Sequence, residues 1–317
     1  MGRAGAPRTG PRWLLLAGPA GLAGVGLAWL LATPSGPDPS SAIRLLSVLL
    51  GSTVLGLAAL EWLQRGDRRP VVPRADLWRP VAALAGAWSV AEAALLVSAA
   101  AETAERAPGV LPAAAFGRFV GEISAGQIGA AALACTAATT VFAAVAFRLG
   151  APWSPVPVAV LAGFALAARP VTGHMSAQTL GSAFVAVHVL AAALWLGPLV
   201  AMAMLVRGRG GWALLLPRYS TLAWRCVAAL AVTGTVDAAV RLGGPGALVD
   251  TGYGRIVLAK AVALVALAGL GWWWRRTWVP AAGAHRTPAE ESLRRATVEV
   301  LALSVAFGLA AALATTA

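Results

Sequence analysis

The sequence predicts an all-α fold, a polytopic bundle of transmembrane helices, on three observations. Of 317 residues, 59% are hydrophobic and 12% charged, with a mean hydropathy of +0.75, so a soluble domain's polar surface cannot be assembled. Nine apolar stretches meet or approach the ~20 residues that cross a bilayer. Arginines gather in alternate loops between them. The 35 glycines and 20 prolines lie largely among alanine, leucine and valine, as membrane helices tolerate.

The stretches run Trp13 to Ala32, Ala42 to Leu63, Leu77 to Ala100, Ile123 to Phe147, Val156 to Ala168, Ser182 to Val206, Leu222 to Val240, Ile256 to Trp274 and Ala296 to Ala314. The fifth is short, and Pro152, Pro155 and Pro157 crowd its start. It either begins with proline in its first turn or enters as a broken helix. The first has a basic start before "LLATPSGPDPS", which a secretory signal also shows. Its apolar core is long for a signal, so a retained signal-anchor helix is expected rather than a cleaved leader. Trp13, Trp62, Trp78, Trp153 and Trp272 to Trp274 fall at span ends, where aromatic belts form.

Orientation follows from the arginine bias. Arg3, Arg8 and Arg12 precede the first span; Arg65, Arg68, Arg69, Arg74 and Arg79 follow the second; Arg207, Arg209 and Arg218 follow the sixth. Arg275, Arg276, Arg286, Arg294 and Arg295 follow the eighth. The intervening loops hold fewer: Arg44, then Arg106 and Arg118, then Arg169, then Arg241 and Arg255. The N terminus is therefore expected inside and the C terminus outside.

The net charge of +12 traces this topology and forms no basic stripe with interleaved aromatics, which argues against nucleic acid as a partner. Cys135 and Cys226 sit inside apolar stretches and are expected as small buried hydrophobes without a disulfide. No nucleophile–base pair, carboxylate dyad or phosphate loop appears, so no enzyme is predicted.

An ionisable side chain near the bilayer centre costs about 2.5–3.5 kcal/mol, so each needs a partner or a function. The candidates are Glu92, Glu122, His188, Asp237, Lys260 and Glu299. At about 1.5 Å per residue, Asp237 and Lys260 reach matching depths on adjacent helices and are expected to pair. Arg225 and Glu299 match in depth at the other face, with Arg295 one turn before Glu299, and are expected to form a second structural ion pair.

His188 has only apolar neighbours on adjacent turns of its own helix, with Trp195 and Met202 at heptad spacing. Such a histidine is either a satisfied core residue or a ligand. Glu92 lies at similar depth. The preceding loop, "RPVTGHMSAQTLGS", presents His174 and Met175 side by side. Imidazole and thioether suit copper, the thioether favouring the cuprous ion. His174, Met175 and His188 are thus candidate metal ligands, with Glu92 and Glu122 supplying charge or an outer contact. Met202 and Met204 are read as packing residues.

The strings "TGHMSAQ…HVLAAALWLGPL", "RYSTLA…VTGTVDAAV", "LVDTGYGRIVLAKAVAL" and "LRRATVEVLALSVAFGLAAAL" resemble the copper resistance protein D (CopD) family of bacterial inner-membrane proteins over roughly Pro170 to Leu313. The specific blocks are Thr251, Tyr253, Gly254, Arg255 and Lys260, and the helix bearing His188, Trp195 and Gly197. Earlier spans share only hydropathy and scattered residues such as Arg44 and Trp88. The resemblance implies a copper-handling protein of the bacterial cytoplasmic membrane that takes up copper, with His174 and His188 matching the family's histidines. It also implies a periplasmic or extracellular copper-binding partner. Pro198, the first span and "GWWWRR" depart from the family pattern.

The expected organisation is a signal-anchor-like helix (1–33), a four-helix membrane half (34–169) and a family-like four-helix half (170–317). Copper uptake or copper resistance is the leading expectation, with copper as cargo and lipid as the surrounding partner. Two alternatives stay open: a haem b electron-transfer protein, and a non-transporting copper-delivery scaffold or sensor.

Overall fold

A computed structural model describes residues 11–33, 38–170, 181–242 and 246–315. Among them are α-helices and short 3-10 turns but no strand. The helices are α1 (Ala17–Ala32), α2 (Ser41–Leu63), α3 (Arg74–Thr103), α4 (Ala113–Glu122), α5 (Ser124–Leu149) and α6 (Val156–Ala168). There follow α7 (Gly181–Leu205), α8 (Arg209–Leu242), α9 (Ala247–Asp250), α10 (Gly252–Arg276), α11 (Trp278–Gly283) and α12 (Ala289–Leu313).

Among the described residues, eight helical segments are long and apolar enough to cross a membrane. The predicted fifth span is the exception. It forms α6, whose 13 residues rise about 20 Å, short of a ~30 Å hydrocarbon core. Hydrogen bonds between distant helix ends explain how it is used.

At one end of the bundle, Arg74 binds Glu61 through both guanidinium edges and donates to Pro152 O at 3.1 Å. Trp78 Nε1 donates to Ala151 O at 3.0 Å. Arg218 joins α8 to this end through Leu63 O at 2.8 Å and a two-pronged pair with Asp67 at 2.7 and 2.9 Å. At the opposite end, Arg255 of α10 donates to Leu31 O and Thr33 O at the close of α1. Helix α6 starts beside Ala151 and finishes at Arg169, which binds Glu92. Trp78 to Glu92 on α3 is about 21 Å of helix, the same depth as α6. The short helix therefore ends at the level of Glu92, below the end of α3.

The helix boundaries extend past several predicted ones. Helix α8 begins at Arg209, well before Leu222, because Pro217 and Arg218 lie within a continuous 34-residue helix. Helix α3 likewise runs on to Thr103 with Pro80 inside. The loop after α3 holds α4, whose Phe119 packs on Leu96 and Ala100 as a satellite core.

A main hydrophobic core joins helices of both halves, from Val25 and Leu45 to Trp212, Ile256 and Leu313. Two crossings fix it. Gly56 on α2 and Gly197 on α7 meet backbone to backbone, and a methyl group at either would overlap the backbone of the other helix. Gly308 on α12 approaches the Gly21 carbonyl in the same way, while Gly24 faces Val305. Lipid offers no hydrophobic drive between helices, so close backbone approach and dispersion hold such crossings. Helix α7 continues through Pro198, and the Tyr219 hydroxyl takes the neighbouring Trp195 carbonyl at 2.9 Å.

Candidate functional site

The intramembrane polar residues resolve into three groups. The first joins α2, α3 and α6. Glu92 is buried, 3% exposed, and accepts from Ser47 Oγ at 2.5 Å and from Arg169 Nε at 3.0 Å. Trp88, one turn earlier on α3, donates its indole N–H to Ser47 Oγ at 3.0 Å. Arg44 is close enough to act on both Glu92 and Arg169, and its Nε is buried without a hydrogen-bond partner. Arg44 and Trp88, which shared only a scattered likeness in sequence, thus belong to one charged knot around Glu92.

The second group lies on α7, α8 and α10. His188 Nδ1 and Thr233 Oγ1 are 2.8 Å apart, and Thr233 Oγ1 lies 2.7 Å from Ala229 O. A threonine hydroxyl has one hydrogen. With that hydrogen on Ala229 O, the His188 proton belongs on Nδ1 as donor, and Nε2 carries the lone pair. Gly234 sits beside the ring with no side chain to cover it, and Lys260 is within electrostatic range.

His188 therefore faces threonine, glycine and lysine of the C-terminal half, whereas Glu92 is engaged by Ser47 and Arg169. The hydrogen bonds bring these two candidates to different partners. Glu122 is the exposed last residue of α4. His174 and Met175 lie outside the described residues, between Arg169 and Gly181. Among the described residues, no group of three or more His, Cys, Asp or Glu side chains is arranged to hold a metal ion.

Both predicted ion pairs are replaced. Asp237 pairs with Arg241 of its own helix at 3.2 Å, and Arg241 also stacks over the Tyr253 ring at 5.6 Å. Lys260 is near enough to feel Asp237 but is not its salt-bridge partner. A partner four residues on in the same helix forms a pair without bringing two helices together, so it wins over one matched only in depth. Glu299 is buried beside Tyr219 and Trp195, and Arg225 is exposed. Helical phase is the reason: Tyr219, Cys226, Leu230 and Thr233 form the buried stripe of α8, and Arg225 lies about 100° around from Cys226. Arg295 binds Glu291 at 2.8 Å instead of Glu299.

The Thr251–Lys260 block acquires physical roles. Thr251 caps α10 by accepting from Gly254 N at 2.9 Å. Gly254 touches the Ala247 carbonyl region with no space for a side chain, and Arg255 ties α10 to α1. Tyr253 and Lys260 stand with Asp237 and Arg241 beside the His188 group. Cys135 and Cys226 are free thiols; Cys226 is buried, as expected, whereas Cys135 is only partly so. Sequence reading passed over Thr233; its signal was the polar residue seven after Cys226 on the buried stripe.

These features define a polytopic all-α membrane protein with charged and imidazole groups held inside the bundle. Residues 213–313, from the first turns of α8 to the end of α12, match the family model for copper resistance protein D. The matched segment covers about a third of the chain, and over it the chain is similar to that family. It begins after α7, so His188 lies outside the matched residues. Neither a curated protein nor a solved structure matches the chain.

Proposed function

We propose that this protein is a copper permease of the bacterial cytoplasmic membrane, moving copper, as the cuprous ion, from the outer side inward without a covalent step. The observation that carries the proposal is the orientation of His188. Its Nδ1–H is engaged by Thr233, which leaves the Nε2 lone pair available inside the bundle, as a metal-ligating histidine requires. The similarity of residues 213–313 to the copper resistance protein D family supports copper as the cargo.

In this reading the end carrying Arg44, Arg169 and Arg255 is periplasmic, and the arginine-rich end carrying Arg65, Arg68, Arg69, Arg74 and Arg218 is cytoplasmic. His174 and Met175, which follow Arg169 by a few residues, receive copper at the outer face from a periplasmic or extracellular copper-binding protein. His188 is the next ligand inward. In the Glu92 knot two guanidinium groups face one carboxylate, so it holds α2, α3 and the end of α6 together rather than ligating the ion. Glu122, exposed on α4, acts at most as an outer charge.

The test is copper accumulation by cells lacking other importers. His188→Ala and a His174→Ala/His188→Ala double variant are expected to lose uptake while retaining membrane insertion. Undiminished accumulation in the double variant refutes the assignment. Reconstituted protein that binds copper but moves none refutes the permease and leaves a delivery scaffold.

A further inference from the structure

The third buried polar group plays no part in ligating copper. Glu299 is 6% exposed, about 15 Å along α12 from its start, and among the described residues no cation pairs with it. Its neighbours are the Tyr219 hydroxyl, with Oε1 at 3.4 Å, and the Trp195 indole. Tyr219 has one hydroxyl hydrogen, and the better acceptor for it is Trp195 O at 2.9 Å. A charge-assisted O–H···O⁻ bond is shorter, about 2.5–2.7 Å. The long Tyr219–Glu299 contact is therefore no charge-assisted bond, and with no cation beside the carboxyl among the described residues this geometry favours a neutral Glu299.

A neutral carboxyl in a bundle matters if its proton can leave. Glu299 lines a cavity of about 40 Å³ shared with Trp195, Tyr219, Ser220, Trp274 and Arg275. That volume admits at least one water by the ~30 Å³ each occupies in the liquid. Arg275 is exposed and hydrogen-bonded to Ser220 at the arginine-rich end, so the cavity joins the buried carboxyl to a wetted surface. The titratable or charged groups around it are Tyr219 and Cys226 on α8 and Arg275 on α10; α7 contributes only the Trp195 indole. An uncompensated carboxylate there is costly, so loss of the proton calls for a cation to take its place.

We propose that Glu299 is a proton-binding site, exchanging its proton through this cavity with the arginine-rich end, and that this proton is the ion whose movement drives copper transport. The coupling rests on the permease reading above; the proton site does not. No bond to carbon or metal changes at Glu299: the carboxyl O–H breaks, the proton passes to cavity water at the arginine-rich end, and in the return step the carboxylate recovers a proton from the opposite side, since release and recovery at one end would do no work.

The test uses the full chain in liposomes, with Glu299→Gln and Tyr219→Phe checked for monodisperse extraction. Infrared difference spectra of the wild type are expected to show a protonated-carboxyl carbonyl band that shifts on transfer to D2O. Glu299→Gln removes the band, and Tyr219→Phe moves it by removing the hydroxyl partner. An imposed pH gradient is expected to change cuprous uptake several-fold in the wild type and not in Glu299→Gln, at equal copper affinity. Absence of a band assignable to Glu299 overturns the proton site. A gradient response that survives Glu299→Gln overturns the coupling. Wild-type protein that binds copper but moves none refutes the permease and the coupling with it, while the band, read independently, still supports the proton site.

Discussion

Thr233→Val tests the histidine assignment most directly, because it keeps side-chain volume and deletes the hydroxyl that holds His188. In the wild type, Nδ1–H donates across 2.8 Å and the imidazole is fixed as the tautomer with a bare Nε2. Valine leaves that N–H without an acceptor on α8. An unsatisfied buried donor costs about 1–3 kcal/mol, and the ring recovers part of it by turning or changing tautomer. Either response moves the Nε2 lone pair from the place it holds in the wild type. Loss of such a supporting hydrogen bond weakens metal binding about 10–100-fold, or roughly 1.4–2.7 kcal/mol. The measurement is competition between detergent-solubilised protein and a chromophoric cuprous chelator, with His188→Ala as the null. Affinity is expected to fall in that range in Thr233→Val and to return partly in Thr233→Ser, which restores an acceptor. Thr233→Val protein that binds copper like the wild type, while His188→Ala does not, refutes the role of Nδ1. If His188→Ala also binds normally, His188 is no ligand.

The other predictions concern the frame. Glu92→Gln removes the buried carboxylate that Arg169 binds beside Arg44, and is expected to cost about 3–5 kcal/mol, seen as a large drop in thermal midpoint. The exposed Glu61–Arg74 pair should cost under about 1 kcal/mol when broken the same way. Alanine at Gly56 or Gly197 should separate α2 from α7, costing at least about 1–3 kcal/mol and yielding aggregated protein on size-exclusion chromatography. Asp67 in the α2–α3 loop carries a pH signature: its hydrogen bonds from Arg218 hold the carboxyl below the usual aspartate range. Its stabilisation is therefore complete above the unfolded value of about 3.9 and fades as pH falls through the lower folded value. The thermal midpoints of wild type and Asp67→Asn should differ at neutral pH and converge only in strong acid.

Hydropathy made the class of fold legible because apolar length and arginine placement are one-dimensional properties. Helix phase and partner choice are not, and the misread features fall there. Asp237 and Lys260 were matched by depth, yet Arg241 lay four residues away on the same helix, a competitor visible in the sequence. Arg225 and Glu299 were matched the same way, yet Cys226 and Thr233 already marked which face of α8 is buried. Glu92 was set by depth beside His188 as an outer contact for a metal; that it binds Arg169 required α6 to end at its level, which no local pattern encodes.

The separation of the three polar groups carries a consequence for mechanism. Glu92 is tied to α2 and α6, His188 to α8, and Glu299 sits against α7 and α8. The groups on His188 and Glu299 share α7 and α8, His188 toward one end of the seam and Trp195, two turns on, toward the other. Trp195 contributes its carbonyl to Tyr219 and its indole to Glu299. A shift of α7 against α8 that moved the His188 ring would therefore move the surroundings of Glu299 as well. Glu92 does not share that seam; α2 meets α7 at the Gly56–Gly197 crossing, which has no slack for sliding. Coupling between copper at His188 and the proton on Glu299 thus has a physical route along α7 and α8, with α2 as the fixed element. Tyr219→Phe should weaken that coupling without altering either ligand, which an uptake assay under a pH gradient can measure separately from copper affinity.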